Sequence, residues 1–257
     1  MKDFNDIVDI LSGFMENTPL NKVEELSNMI IFDEPLVGIA AADDILFQCL
    51  KEPSAVGTHH LTPGEWLPHA KTVISYFLPF SSTVRQSNYM NDKKPSREWL
   101  YGRIEGESLN NAMRDYLVEK IQEAGGKALI PSKDPRCQLL DNRSSWSERH
   151  VAYVAGLGTF SLSKSIITNK GSAGRFGSII TDLILEPTQR SYDDIYEYCS
   201  QCGVCIDRCP PEAITPEGKA HPPCHEFLEH MKIIYSPRYG CGKCQTAVPC
   251  ESGIPGL

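Results

Sequence analysis

Cys199-Ser200-Gln201-Cys202-Gly203-Val204-Cys205-Ile206-Asp207-Arg208-Cys209-Pro210 is the stretch on which the reading of this chain turns. Its spacing is C-x2-C-x2-C-x3-C-P. Three thiolates separated by two residues each can wrap one iron-sulfur cubane within a single loop, whereas the fourth, three residues on and ahead of a proline, ligates a different cluster. A second set of thiolates is therefore expected, and Cys224, Cys241, Cys244 and Cys250 supply it. By the crossed ligation of two-cluster ferredoxins, one [4Fe-4S] cluster takes Cys199, Cys202, Cys205 and Cys250, and the other takes Cys209, Cys224, Cys241 and Cys244. Cys250 is the least regular of the eight, lying six positions past Cys244 with Pro249 before it.

Two other chemistries use cysteines at close spacing. Structural zinc favours paired C-x2-C knuckles, and disulfides need an oxidising compartment. A third thiolate after only two more residues suits a cubane better than a zinc tetrahedron. Cys49 and Cys137 have no partner at ligand spacing and read as buried, inert thiols. The seven histidines read as solvated or hydrogen-bonded side chains, because the thiolate count is already complete.

Working outward from the cysteines, the 257 residues are enough to bury a sizeable core without help from metal. All eight ligand candidates lie in the last part of the chain, so we divide it into a domain over residues 1–190 and a small double-cluster domain over 191–257. The net charge of −8 and the lack of any run of five Lys or Arg disfavour a nucleic-acid partner. The opening Met1-Lys2-Asp3-Phe4-Asn5-Asp6 has neither a secretion nor a twin-arginine signal. No apolar run approaches the ~18 residues of a membrane span. The expected setting is the reducing cytoplasm, away from the membrane.

Phe4, Ile7, Val8, Leu11 and Phe14 recur at helical spacing up to Asn17-Thr18-Pro19. Short apolar runs predict strands over residues 36–41, 72–78 and 127–130. Leu109, Met113, Tyr116, Leu117 and Ile121 predict an amphipathic helix closed by Gly125-Gly126. Ser147 and Gly156 bracket a short helix. The runs 162–168 and 176–183, joined by Asn169-Lys170-Gly171-Ser172, predict a hairpin.

The segment from Ser147-Glu148-Arg149-His150 through Ala155-Gly156-Leu157-Gly158, Ile167-Thr168 and Gly171-Ser172 to Thr181-Asp182-Leu183 resembles the epoxyqueuosine reductase family and its relatives, the corrinoid-dependent reductive dehalogenases. Cys224-His225-Glu226-Phe227-Leu228 and Tyr239-Gly240-Cys241-Gly242-Lys243-Cys244 resemble that family's second cluster region. The resemblance implies an α+β chain, in which a nitroreductase-like and corrinoid-processing-like α/β domain precedes the ferredoxin-like one. It implies an iron-sulfur oxidoreductase that passes electrons from two [4Fe-4S] clusters to a corrinoid (cobalamin), or alternatively a flavin, which reduces a small organic substrate.

A low-potential donor of the ferredoxin or flavodoxin type would supply the electrons. The residues where backbone approaches the corrin would be Gly156, Gly158, Gly171, Ser172, Gly174 and Gly177, since glycine has no Cβ to keep a ligand away. Asp141 stands at the place of the family's proton-donating aspartate, with Asn142-Arg143 replacing its Thr-Gly, and Tyr153 is the dehalogenase-type alternative. The competing reading is a non-catalytic relay that reduces a partner corrinoid protein or flavoprotein.

Overall fold

Thr72–Pro79 is a run of eight residues, each of them buried. Such a strand must lie at the centre of a sheet covered on both faces, and it does. In the computed structural model, which describes residues 1, 3–90 and 93–256, Thr72–Pro79 pairs antiparallel with Leu36–Ala41 on one side and Gly174–Thr181 on the other. Ala128–Leu129 completes the four-stranded sheet beyond Gly174–Thr181.

The two-residue alternation of the strands sends side chains into two separate cores. Ile39, Ile74, Tyr76, Leu78 and Ile179 meet Ile7 and Leu11 of helix Phe4–Asn17 and Leu109, Met113, Leu117 and Ile121 of helix Arg97–Glu123. On the other face Ala40, Val73 and Ile180 meet Phe47, Trp66, Trp146, Val151 and Val154. The result is a helix–sheet–helix sandwich of the α+β class, with every sheet pairing antiparallel.

The long helix starts at Arg97, well before its predicted amphipathic stretch. Its start is set by Ser96, whose Oγ accepts the Trp99 amide at 3.1 Å. Gly125, at φ 85°, turns the chain out of the helix.

The predicted hairpin is corrected. Ile166–Thr168 pairs with Gly158–Phe160, while Gly174–Thr181 joins the central sheet. A side chain at Gly158 would overlap the Ile167 carbonyl, so glycine is what lets these two short strands approach. The isolated bridge Thr168–Gly171 lies within the turn that follows Ile166–Thr168.

The cysteine-bearing segment packs on the body through defined contacts. Asn88 Nδ2 donates to the Cys241 carbonyl at 3.0 Å, and Gln245 Nε2 donates to the Ser172 carbonyl at 2.7 Å. The wholly buried Lys243 ammonium donates to the carbonyls of Asn88 and Met90 at 2.8 and 3.1 Å. Glu251 receives Arg85 Nε at 3.1 Å and the Tyr89 hydroxyl at 2.8 Å.

Candidate functional site

Gly203, at φ 77°, turns the chain between Cys202 and the short helix Val204–Asp207, which carries Cys205. Gly242, at φ 70°, does the same between Cys241 and the turn Lys243–Gln245, which carries Cys244. These left-handed turns fold each close-spaced thiol set back on itself. Cys199, Cys202, Cys205 and Cys250 line one small cavity of about 20 Å³. Cys209, Cys224, Cys241 and Cys244 line a separate cleft of about 570 Å³. The eight thiols thus line two separate spaces in groups of four.

Cys250 Sγ accepts the Ser172 hydroxyl at 3.8 Å, and Cys209 Sγ accepts the Ala213 amide at 3.3 Å. Burial, with the neighbouring thiols adding to it, pushes Cys205 and Cys241 up to about 12 and Cys250 up to about 11. As free thiols these groups hold their protons, so metal loading must displace them. Among the described residues no three His, Cys, Asp or Glu side chains converge on a site for a single metal ion.

The large cleft collects positive charge in an acidic protein. Arg103, Arg114, Arg149, Arg175 and Lys219 line it against the carboxylates of Glu107 and Glu148. Burial, then the Arg103 guanidinium beside it, lowers Arg175 to about 10. Burial likewise lowers Arg149, opposed by the Cys244 and Cys224 thiols. Burial also works against the Lys219 ammonium, but there Cys244 and Cys224 outweigh it and its pKa rises. Arg149 and Lys219 are thus the cations that face the second cysteine set.

Neither sequence-predicted acid lines this cleft. Asp141 sits at the exposed tip of the two-residue turn joining Leu139–Leu140 to Arg143–Ser144, at φ 49°. Arg143, two residues on, donates to the Pro53 carbonyl at 2.9 Å. Tyr153 packs among aromatics, its ring 5.1 Å from that of Tyr192 and 6.3 Å from that of Phe160.

Of the six residues expected at a corrin, Gly174 alone lines the cleft. The missing Cβ atoms face protein in each glycine: Thr188 at Gly156, Ile167 at Gly158, the Glu251 backbone at Gly171, Phe77 at Gly174 and Tyr76 at Gly177. Ser172 is buried and holds the Cys250 segment through its backbone amide, which donates to the Cys250 carbonyl at 2.9 Å. Cys49 is exposed and Cys137 half-buried, so neither is the deeply buried thiol expected of it.

Sequence reasoning passed over Trp146 and Glu148, and with them the cations of the cleft. Arg103, Glu107 and Arg114 stand at i, i+4 and i+11 on one helix, a spacing that marks a charged stripe on a single face. Glu148 gave no such signal, because an acid in the first turn of a helix is ordinary. His60 was read as solvated or hydrogen-bonded with the other histidines. It is instead wholly buried, with both ring nitrogens unpartnered among the described residues, and stacks 5.8 Å from Trp146.

With the geometry in hand, the chain can be set beside known proteins. No protein-family model matches it. It is 28% identical over 207 residues to an epoxyqueuosine reductase from Bacillus cereus, covering 73% of this chain and 50% of that protein. The chain spans about half the length of the curated relatives it first matches. A crystal structure of an epoxyqueuosine reductase with a tRNA stem-loop shares the fold at TM-score 0.57 and 20% identity, covering 98% of this chain and 66% of that one. A catabolic reductive dehalogenase in complex with 3-bromo-4-hydroxybenzoic acid shares it at TM-score 0.58 and 12% identity, covering 96% and 37%. These similarities give the chain the fold shared by epoxyqueuosine reductases and reductive dehalogenases.

They also correct one expectation. The argument from net charge against a nucleic-acid partner fails, since a protein of this fold is captured on a tRNA stem-loop. The physical reason is visible in this chain, where cations gather in one cleft while the sum over the whole molecule stays at −8. A phosphate backbone responds to the local potential and not to the total.

No helix among the described residues is long and apolar enough to cross a membrane.

Proposed function

We propose that this chain is an iron-sulfur reductase, in which two [4Fe-4S] clusters on the 191–257 segment feed electrons into the cleft lined by Cys209, Cys224, Cys241 and Cys244, where an organic substrate is reduced. The observation that carries this reading is the sorting of eight thiols into two groups of four around two separate spaces. Thiolates in fours are the donor set of a cubane, and the two sets draw on each other's sequence motifs as crossed ligation requires. The donor set therefore fits the clusters. Similarity to epoxyqueuosine reductases supports the redox role.

The residues assigned to a corrinoid do not fit it comparably. The Cβ positions of the proposed corrin-facing glycines are taken up by protein, and only Gly174 reaches the cleft. The electron path is accordingly drawn from the thiolates to the cleft and no further. Within it, the chain's own residues have definite work. Arg149 and Lys219, facing Cys224 and Cys244, would balance the negative charge of a thiolate-ligated cluster held there and so favour its reduced state. Trp99 and Phe80 close part of the cleft wall with apolar surface, and Gly242 lets the cysteine turn sit directly on the Trp99 indole.

Anaerobic reconstitution followed by titration with hydroxocobalamin and, separately, FMN tests the reading. A perturbed cofactor spectrum that is lost in Arg149→Gln identifies a catalytic cleft that holds its own cofactor. Unchanged spectra with both cofactors, alongside cluster reduction and electron delivery to an added flavoprotein, would make the chain a relay.

A further inference from the structure

We propose that Glu148 is the proton store of the cleft, a carboxylic acid kept neutral on its wall, and that Arg114 is placed to take up the charge left when the proton is handed over. This rests on reading the cleft as a site of reduction, and it moves the acid role away from Asp141.

The geometry is specific. Glu148 opens the short helix Glu148–Val154 and lines the cleft beside Trp146 and Arg149. Its two oxygens are treated differently. Oε2 accepts the Ser178 hydroxyl at 2.5 Å, and Ser178 Oγ in turn accepts Trp146 Nε1 at 2.9 Å, so an indole and a hydroxyl from two elements hold that oxygen in place. Oε1 is shielded from solvent and has no hydrogen-bond partner among the described residues. It lies 3.5 Å from Arg114 Nη2. A buried oxygen without a donor costs more as half of a carboxylate than as the hydroxyl of a neutral acid.

Arg114 pulls Glu148 towards ionisation, but its guanidinium is shared with other acceptors. Nη1 donates to Glu107 Oε1 at 3.1 Å and to Asn111 Oδ1 at 2.9 Å, and Nη2 donates to the Phe176 carbonyl at 3.2 Å. The charged and titratable groups facing Glu148 are Arg114 and Glu107 from the long helix and Tyr76 from the central strand, whose hydroxyl is tied to Asn110 at 2.8 Å. Burial raises the Glu148 pKa and outweighs the opposing pull of Arg114 and Ser178. Asp141, exposed on a hairpin tip, has no comparable setting.

Reductive cleavage of a carbon–heteroatom bond needs such a proton: R–X + 2e⁻ + H⁺ gives R–H + X⁻. The two electrons arrive one at a time from a low-potential donor of the ferredoxin or flavodoxin class. The C–X bond breaks, the new C–H bond takes the Glu148 proton, and the resulting carboxylate, stabilised by Arg114, is reprotonated from water.

Two measurements on the full-length reconstituted protein decide the matter without a known substrate. Infrared difference spectra of wild type minus Glu148→Gln at neutral pH are expected to show the carbonyl stretch of a protonated carboxylic acid, shifting when the solvent is exchanged for D2O. Loss of carboxylate bands only, or an acid band that does not exchange, overturns the proposal.

The second measurement is the pH slope of stability. With a raised folded pKa, the folded state holds more protons than the unfolded state above the ordinary glutamate value, so wild type loses stability relative to Glu148→Gln as pH rises through that window. A wild type that gains on the variant with rising pH indicates an ionised Glu148–Arg114 pair and overturns it as well. Should the glutamine variant fail to fold, Ser178→Ala serves: the acid band must move in frequency when its hydroxyl partner is removed, and an unmoved band refutes the assignment. Absence of clusters would defeat the reductase reading while leaving both measurements valid for Glu148.

Discussion

Replacing His60 with phenylalanine should flatten the acid sensitivity of this fold without weakening it near neutrality. His60 is wholly buried against Trp146, and neither ring nitrogen has a partner, so an apolar ring of similar shape forfeits no hydrogen bond there. Burial, assisted by Lys51 and His59 and opposed by Glu65, lowers its pKa from 6.5 to about 4. Below pH 6.5 the unfolded chain takes up a proton that the folded chain refuses until pH falls to about 4, so folded stability drops across that window. Between about pH 7 and about pH 5 the single-site linkage amounts to about 2 kcal/mol.

Denaturant unfolding at the two pH values measures it. Wild type should lose about 2 kcal/mol more than His60→Phe on acidification. His150, lowered to about 3 chiefly by burial with His60 a lesser cause, keeps the larger part of its shift in both proteins and mostly cancels in the comparison. Equal acid losses in the two proteins would refute the reasoning, and with it the placement of His60 in a dry core.

Other perturbations address the cysteine segment and the helix that supports it. Cys250→Ser should remove about half of the bound iron while leaving the second thiol set loaded, as read by iron analysis and electron paramagnetic resonance; unchanged iron would put the fourth ligand elsewhere. Gly242→Ala sets a methyl on the Trp99 ring at φ 70°, so it should cost roughly 1–3 kcal/mol in unfolding free energy and weaken cluster binding at Cys241 and Cys244. Ser96→Ala deletes the cap on the Trp99 amide and should cost about 1 kcal/mol by denaturant titration, with cluster content unchanged.

The parts of the fold legible in the sequence were those with strong local signals. The helix over 4–17 and the strand over 36–41 coincide with the predicted segments, because an unbroken apolar period and turn residues marked their limits. The run 162–168 was readable as β-structure, but its partner was not. Pairing is a tertiary choice, decided here by the close approach that Gly158 allows and by the vacancy beside Thr72–Pro79 that Gly174–Thr181 fills.

The cysteine spacing was legible because it is a property of the covalent chain. The surroundings of a carboxyl group were not. Asp141 stood at the expected distance from the Ala155-Gly156-Leu157-Gly158 turn, yet the two-residue hairpin carries it to the surface. Glu148 acquires its character only from Ser178, Trp146 and Arg114, which lie far from it in sequence or on other elements. The charge of the cleft was hidden for a similar reason, since a formal sum over the chain carries no information on where the arginines meet.

Quantifying iron and acid-labile sulfide in anaerobically reconstituted protein bears most directly on the claim that eight thiols hold two cubanes. The account predicts about eight iron atoms and about eight sulfides per chain. Stoichiometric zinc without sulfide, or no retained metal, would contradict it.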